Sequence, residues 1–196
     1  WAGSPPSAQT MITRAHRIGR MENLDELWSL WSVWFAEVEE SHTSLAPLSF
    51  FRSPQLERSW VTAAGAVLDG ASLYLAVVDR PFNPRAAICI RTGFLALRHV
   101  AGFFGFEYDP NPAPDDPISI SRQEFDAVYD TLAAQDVPLK ADREQSWRDF
   151  NGWRVNYDAV LLQLAALTMA PYAPWSSDRS AIRLPARFKR LQRGMS

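Results

Sequence analysis

Residues 23–38 read Asn-Leu-Asp-Glu-Leu-Trp-Ser-Leu-Trp-Ser-Val-Trp-Phe-Ala-Glu-Val, and the spacing of the apolar positions in this run decides the fold class. Leu24, Leu27, Trp28, Trp31, Trp34, Phe35 and Val38 recur three and four residues apart. At 3.6 residues per turn that spacing gathers them into one stripe of a helix. The sequence holds no period-two alternation long enough for a sheet. Asn23, with Glu26 three residues on, makes a helix-start signal. The Trp28/Trp31/Trp34 run invites a ligand-stacking role, but indoles at helical spacing are first of all a core seam. The helix is predicted to fade between Ser41 and Ser44, before Pro47.

The same reading extends outward. Ser53-Pro54 pairs an N-cap serine with a proline at the first helical position, predicting a helix to about Arg80. Asn83-Pro84 repeats the device and opens a helix to about Phe106. The short link between them predicts an antiparallel hairpin. Residues 107–120 hold four prolines and four acids and read as an extended loop. Ser121 and Glu124 form a capping box for a helix ending near Gln135, and a last helix is predicted from Asp142 to Ala170. The sum is an all-α helical bundle of about five main helices, with antiparallel hairpins and a Pro-rich loop. Trp60–Val78 carries a single charge, Asp69, and is long enough to span a bilayer. A central carboxylate costs roughly 2.5–3.5 kcal/mol there, and Thr62, Gly65, Gly70 and Ser72 suit a buried core helix better.

The 196 residues suffice for one domain, and 47% hydrophobic composition with eight Trp and eleven Phe supplies a sizeable core. Cys89 is the only cysteine, which excludes a disulfide framework and a Cys-based zinc site. Net charge of −2 hides a pattern: residues 1–20 hold three Arg and no acid, and residues 179–196 hold six bases and no acid. The expected division is a basic N-terminal linker over 1–20, a helical domain over 21–175 and a basic tail over 176–196. Basic ends on an acidic body suit a place beside an anionic membrane surface, or a merely solvated tail. Nucleic-acid binding through the tail is the weaker reading. No apolar signal-peptide core opens the chain, and a start on Trp1 reads as a segment of a longer protein.

Chemistry-bearing motifs are few. Glu39 and His42 make one E-x-x-H, but a di-iron bundle needs two copies and two further Glu. No zincin, P-loop, dinucleotide or nucleophile-elbow pattern occurs. No metal, cofactor or catalytic residue is assigned, and the chain is not expected to be an enzyme. The polar residues of interest are Asp69, Arg91, Arg98 and His99, with Glu40 and His42 beside them. Asp69 lies in the apolar middle of its helix, and a hairpin turn near residue 82 brings position 95 opposite it, with Arg91 and Arg98 about a turn either side. A carboxylate in such a setting needs a partner. Arg98 or His99, then Arg91, are the expected partners. The pair is either a structural tie or a ligand- or proton-sensing site.

Several stretches, taken in order, resemble a known family. They are Ala2-Gly3-Ser4-Pro5-Pro6; Trp34 to His42, continuing through Phe50-Phe51-Arg52-Ser53; Ser59-Trp60 with Ala66-Val67-Leu68-Asp69; Leu97-Arg98-His99; and Ala170-Pro171 to Pro174-Trp175. Together they are similar to the soluble C-terminal region of bacterial two-transmembrane, potassium-channel-like proteins, over about residues 1–175. The resemblance implies a regulatory or assembly domain on the cytoplasmic side of the inner membrane, self-associating and without catalysis. It also implies that Ala2–Pro6 lies shortly after the last pore helix. The chain itself holds no pore helices and no filter sequence. The alternative is a stand-alone intracellular helical enzyme or small-molecule-binding protein that uses the Asp/Arg/His cluster.

Overall fold

A computed structural model describes residues 2–44 and 59–180. The described residues form seven helices and no strand: α1 (Ala8–Arg17), α2 (Asn23–Ser44), α3 (Trp60–Val77), α4 (Pro84–Phe103), α5 (Arg122–Ala133), α6 (Arg143–Arg154) and α7 (Asp158–Leu167). The protein is therefore all-α, a helical bundle. Residues 104–121 carry no helix, as their prolines dictate.

α3 is the central post. Sixteen of its eighteen residues are buried, Asp69 among them. It is long and apolar enough to cross a membrane, yet it lies inside the bundle, as a core helix does. α2 runs antiparallel to it: Trp28 meets Tyr74 edge-on, with centroids 6.5 Å apart, and Trp34 lies 6.5 Å from Trp60. α4 also runs antiparallel to α3, and a Cβ on Gly93 would come within 2.5 Å of Leu68. α2 and α4 are consequently parallel to each other. The Asn83 amide meets Asp25 at one end of the pair, and His99 meets Glu39 at the other. The α4 cap is as predicted, with Asn83 Oδ1 accepting from the amides of Arg85 (3.0 Å) and Ala86 (3.2 Å). The Ser121/Glu124 capping box of α5 is present in full.

Four expectations change. The linker expected over 1–20 contains α1, whose Ala8, Met11, Ile12 and Ala15 bury against α3. Their three- and four-residue spacing is the same stripe signal, obscured by three arginines. The last helix is two helices, because residues 155–157 form a turn between α6 and α7. Val155 and Asn156 are weak helix formers, and Asn156 Nδ2 turns back onto the Gly152 carbonyl at 2.9 Å. The tail expected from 176 begins packed, since Ser176 is fully buried and Arg179 binds Glu124. In the aromatic stripe, Trp28 and Phe35 are fully buried, while Trp31 and Trp34 are half-buried. The Ser53-Pro54 start lies outside the described residues, and α3 begins at Trp60 behind Ser59.

Candidate functional site

Asp69 sits at the middle of α3 and is 2% exposed. Its partner is Arg154, the last residue of α6, which is 0% exposed. Arg154 Nη1 donates to Asp69 Oδ1. Arg154 Nε donates to Asp158 Oδ1 at 2.8 Å, and Nη2 donates to the Trp175 carbonyl at 2.7 Å. One guanidinium therefore fastens α3, α7 and the closing segment to α6. Tyr157 adds a hydroxyl that donates to Asp69 Oδ1 at 2.9 Å and lies 2.9 Å from Ser72 Oγ. Asp158 takes two further bonds from Ser119 in the Pro-rich loop, from its amide at 2.8 Å and its hydroxyl at 2.7 Å.

The turn at 155–157 makes this cluster possible. A continuous helix would have carried Arg154 and Asp158 up one face as a simple i,i+4 pair. The turn redirects the chain, so Tyr157 caps α7 and Asp158 opens its first turn, where a carboxylate suits the helix dipole. Trp175 adopts φ +63°, a strained left-handed conformation for a bulky residue. That conformation accompanies its carbonyl bond to Arg154, while its ring packs 5.5 Å from Phe150.

Two carboxylates share one cation here. Burial raises the Asp69 pKa above its ordinary value, working against the Arg154 charge and the bonds from Arg154 and Tyr157. Burial opposes the Arg154 charge too, but Asp69 and Asp158 outweigh it and hold the guanidinium above its usual range. Burial, then Asp69, push the Tyr157 phenol well up. Closed packing and committed donors make the cluster a structural tie: it fixes helices and offers no surface to a substrate.

The residues expected to join Asp69 lie elsewhere, and the expected pairing is corrected. Arg98 is buried but points away from α3, donating to the Asn156 carbonyl (2.9 Å) and the Pro110 carbonyl (2.9 Å) and lying over the Phe94 ring at 4.7 Å. Burial lowers its pKa. Arg98 thus anchors the Pro-rich loop and the α6–α7 turn. His99 is exposed and pairs with Glu39 of α2. Arg91 and Glu40 are exposed on α4 and α2, and the side chain of His42 lies outside the described residues. The structure therefore does not bring Asp69, Arg91, Arg98 and His99 together. The α3–α4 register sets Leu68 against Gly93, so position 69 stands opposite about 92 rather than 95, and Arg98 lies on the side of α4 that meets the Pro-rich loop and the α6–α7 turn. Arg154 was the residue to find, and its signal was an arginine in the apolar stripe of the last helix, four residues before an aspartate.

Among the described residues no group of three or more His, Cys, Asp or Glu is placed to hold a metal. A groove of about 560 Å³ runs between the Pro-rich loop and α6, lined by Pro114, Ile118, Ile120, Trp147, Arg148 and Asn151. No family model, curated protein or solved structure matches the chain.

Proposed function

We propose that this chain is a regulatory or assembly domain on the cytoplasmic side of a bacterial potassium-channel-like membrane protein, acting through helix packing and not through catalysis. The family resemblance of residues 1–175 motivates this reading. The observation that carries it is the seat of α1. Met11 lies so close to α3 that a Cβ on Gly70 would come within 2.9 Å of its sulfur, and Gly70 adjoins Asp69 of the buried tie. The N-terminal segment, which the resemblance sets nearest the membrane, is thereby packed directly on the post that Arg154 fastens. Displacement of α1 cannot be absorbed locally in so tight a contact. It is passed to α3 and from there to α6, α7 and the closing segment.

The test is fractionation of native cells probed for this chain. Recovery in the membrane fraction, in a polypeptide longer than these residues, is the expected result. Recovery only as a soluble polypeptide of this length refutes the reading. Where the membrane form is found, Gly70→Leu in that full protein should alter ion flux in reconstituted vesicles, because it drives α1 off α3.

A further inference from the structure

We propose that the outer face of the α2–α4 pair is the surface on which a second copy of this chain docks, about a two-fold axis parallel to the two helices; this rests on the assembly half of the function proposed above.

α2 and α4 lie side by side and parallel, and the contacts at their ends fix the register. The Asn83 amide meets Asp25, with Arg85 4.0 Å from the same carboxylate, and His99 meets Glu39 sixty residues away in the chain. A residue of α4 therefore stands level with the residue of α2 about sixty positions earlier. The face turned away from α3 is exposed along its length. On α2 it presents Glu26, Val33, Ala36 and Glu40, with Val33 62% exposed. On α4 it presents Arg85, Ile88, Leu95 and His99, with Ile88 55% and Leu95 36% exposed. Each stripe carries apolar side chains in its middle, joined on α4 by the exposed Arg91, and is charged at both ends. The α2 ends are acidic, and the α4 ends are basic or protonatable.

That pattern selects an occupant and a symmetry. A two-fold axis lying in the interface and parallel to the helices sets α2 of one copy on α4 of the other without shifting it lengthwise. Glu26 then faces Arg85 of the second copy, Val33 and Ala36 face Leu95, and Glu40 faces His99. Every contact is made twice. The perpendicular axis would lay α2 on α2 and bring acids against acids, which like-charge repulsion disfavours. The selected axis also leaves the N-termini of both copies at the same end, as two chains leaving one membrane require. The apolar area is small beside that of stable dimers, so the contact in solution is weak. Tethering of neighbouring subunits at roughly millimolar effective concentration makes it sufficient.

The experiment uses the 196-residue chain carrying Val33→Cys or Leu95→Cys, each alone and in an equimolar mixture, under mild oxidation. Cys89 is buried and its thiol is pushed up to about 12 by burial, so the unsubstituted chain is a silent control. Both positions are exposed, so folding is kept, and circular dichroism checks it. The expected result is a Val33→Cys/Leu95→Cys disulfide in the mixture at least tenfold over either self-linked species. Glu40→Arg should weaken the self-association of the unsubstituted chain, read by sedimentation at up to about 1 mM, by several-fold. A dominant Val33→Cys self-link overturns the symmetry, and a strict monomer with no link overturns the surface. Cross-linking with only soluble recovery from cells ends the membrane-protein reading and leaves the interface standing; membrane recovery without the link does the reverse.

Discussion

Replacing Arg154 by methionine keeps most of the side-chain volume and removes the only cation in the buried cluster. Three bonds are lost: to Asp69, to Asp158 at 2.8 Å and to the Trp175 carbonyl at 2.7 Å. Two buried carboxylates are left without a counter-charge, which typically costs about 3–5 kcal/mol. The strained Trp175 backbone also loses its partner. With a urea m-value of about 2 kcal/mol/M, the midpoint should fall by roughly 1.5–2.5 M. Asp69→Asn is the contrasting change. Asparagine keeps an oxygen for Arg154 and Tyr157, and Asp158 still balances the guanidinium, so the cost should stay near 1 kcal/mol. The two changes together should cost less than the sum of the singles, since Asn removes one of the charges that Arg154→Met strands. Helix content followed by circular dichroism through a urea titration reads all three. An Arg154→Met midpoint within about 0.5 M of the unsubstituted chain, or an Asp69→Asn cost equal to it, refutes the tie.

Gly93→Ala sets a methyl group 2.5 Å from Leu68 and 2.8 Å from Phe35; overpacking of this kind should cost about 1–3 kcal/mol, read as a lowered urea midpoint. The Arg179 guanidinium, bonded to both Glu124 carboxylate oxygens, holds Glu124 down to about 2. A lowered carboxylate pKa stabilises above the unfolded value, near 4.5, and loses that contribution as pH falls toward the folded one. Proteolysis after the closing segment should therefore rise as pH is taken below about 4.5, and Glu124→Gln should remove that pH dependence.

How much was legible in the sequence differs by level. The helices with clean caps stand where Asn83-Pro84 and Ser121/Glu124 put them, because a cap is a local bond between near neighbours. α1 offers too little contrast to be read as a helix: its Met11, Ile12 and Ala15 are few beside Arg14, Arg17 and Arg20. The α6–α7 turn is written in no local signal strong enough to break so apolar a stripe. It is held by Arg98 on the Asn156 carbonyl and by Arg154 on Asp69, contacts 58 and 85 residues long in sequence. The burial of Asp69 and its need for a partner followed from composition alone. The partner did not, because the third dimension brought α6 rather than α4 to that face of α3.

The parallel setting of α2 and α4 has a consequence for biogenesis. Parallel neighbours cannot be joined by a tight turn, so α3 must be made and must reverse direction before α4 exists to receive α2. Glu39 waits sixty residues for His99. At about 5–20 residues per second of synthesis, that interval is roughly 3–12 s. During it the α2 flank that ends against Gly93 has no mate, and Phe35 stands open to water or to a chaperone. The α3–α4 hairpin closes over a short loop and can form at once, whereas the α2–α4 pairing comes later, and the Asp69–Arg154 tie of α3 to α6, 85 residues apart in sequence, later still.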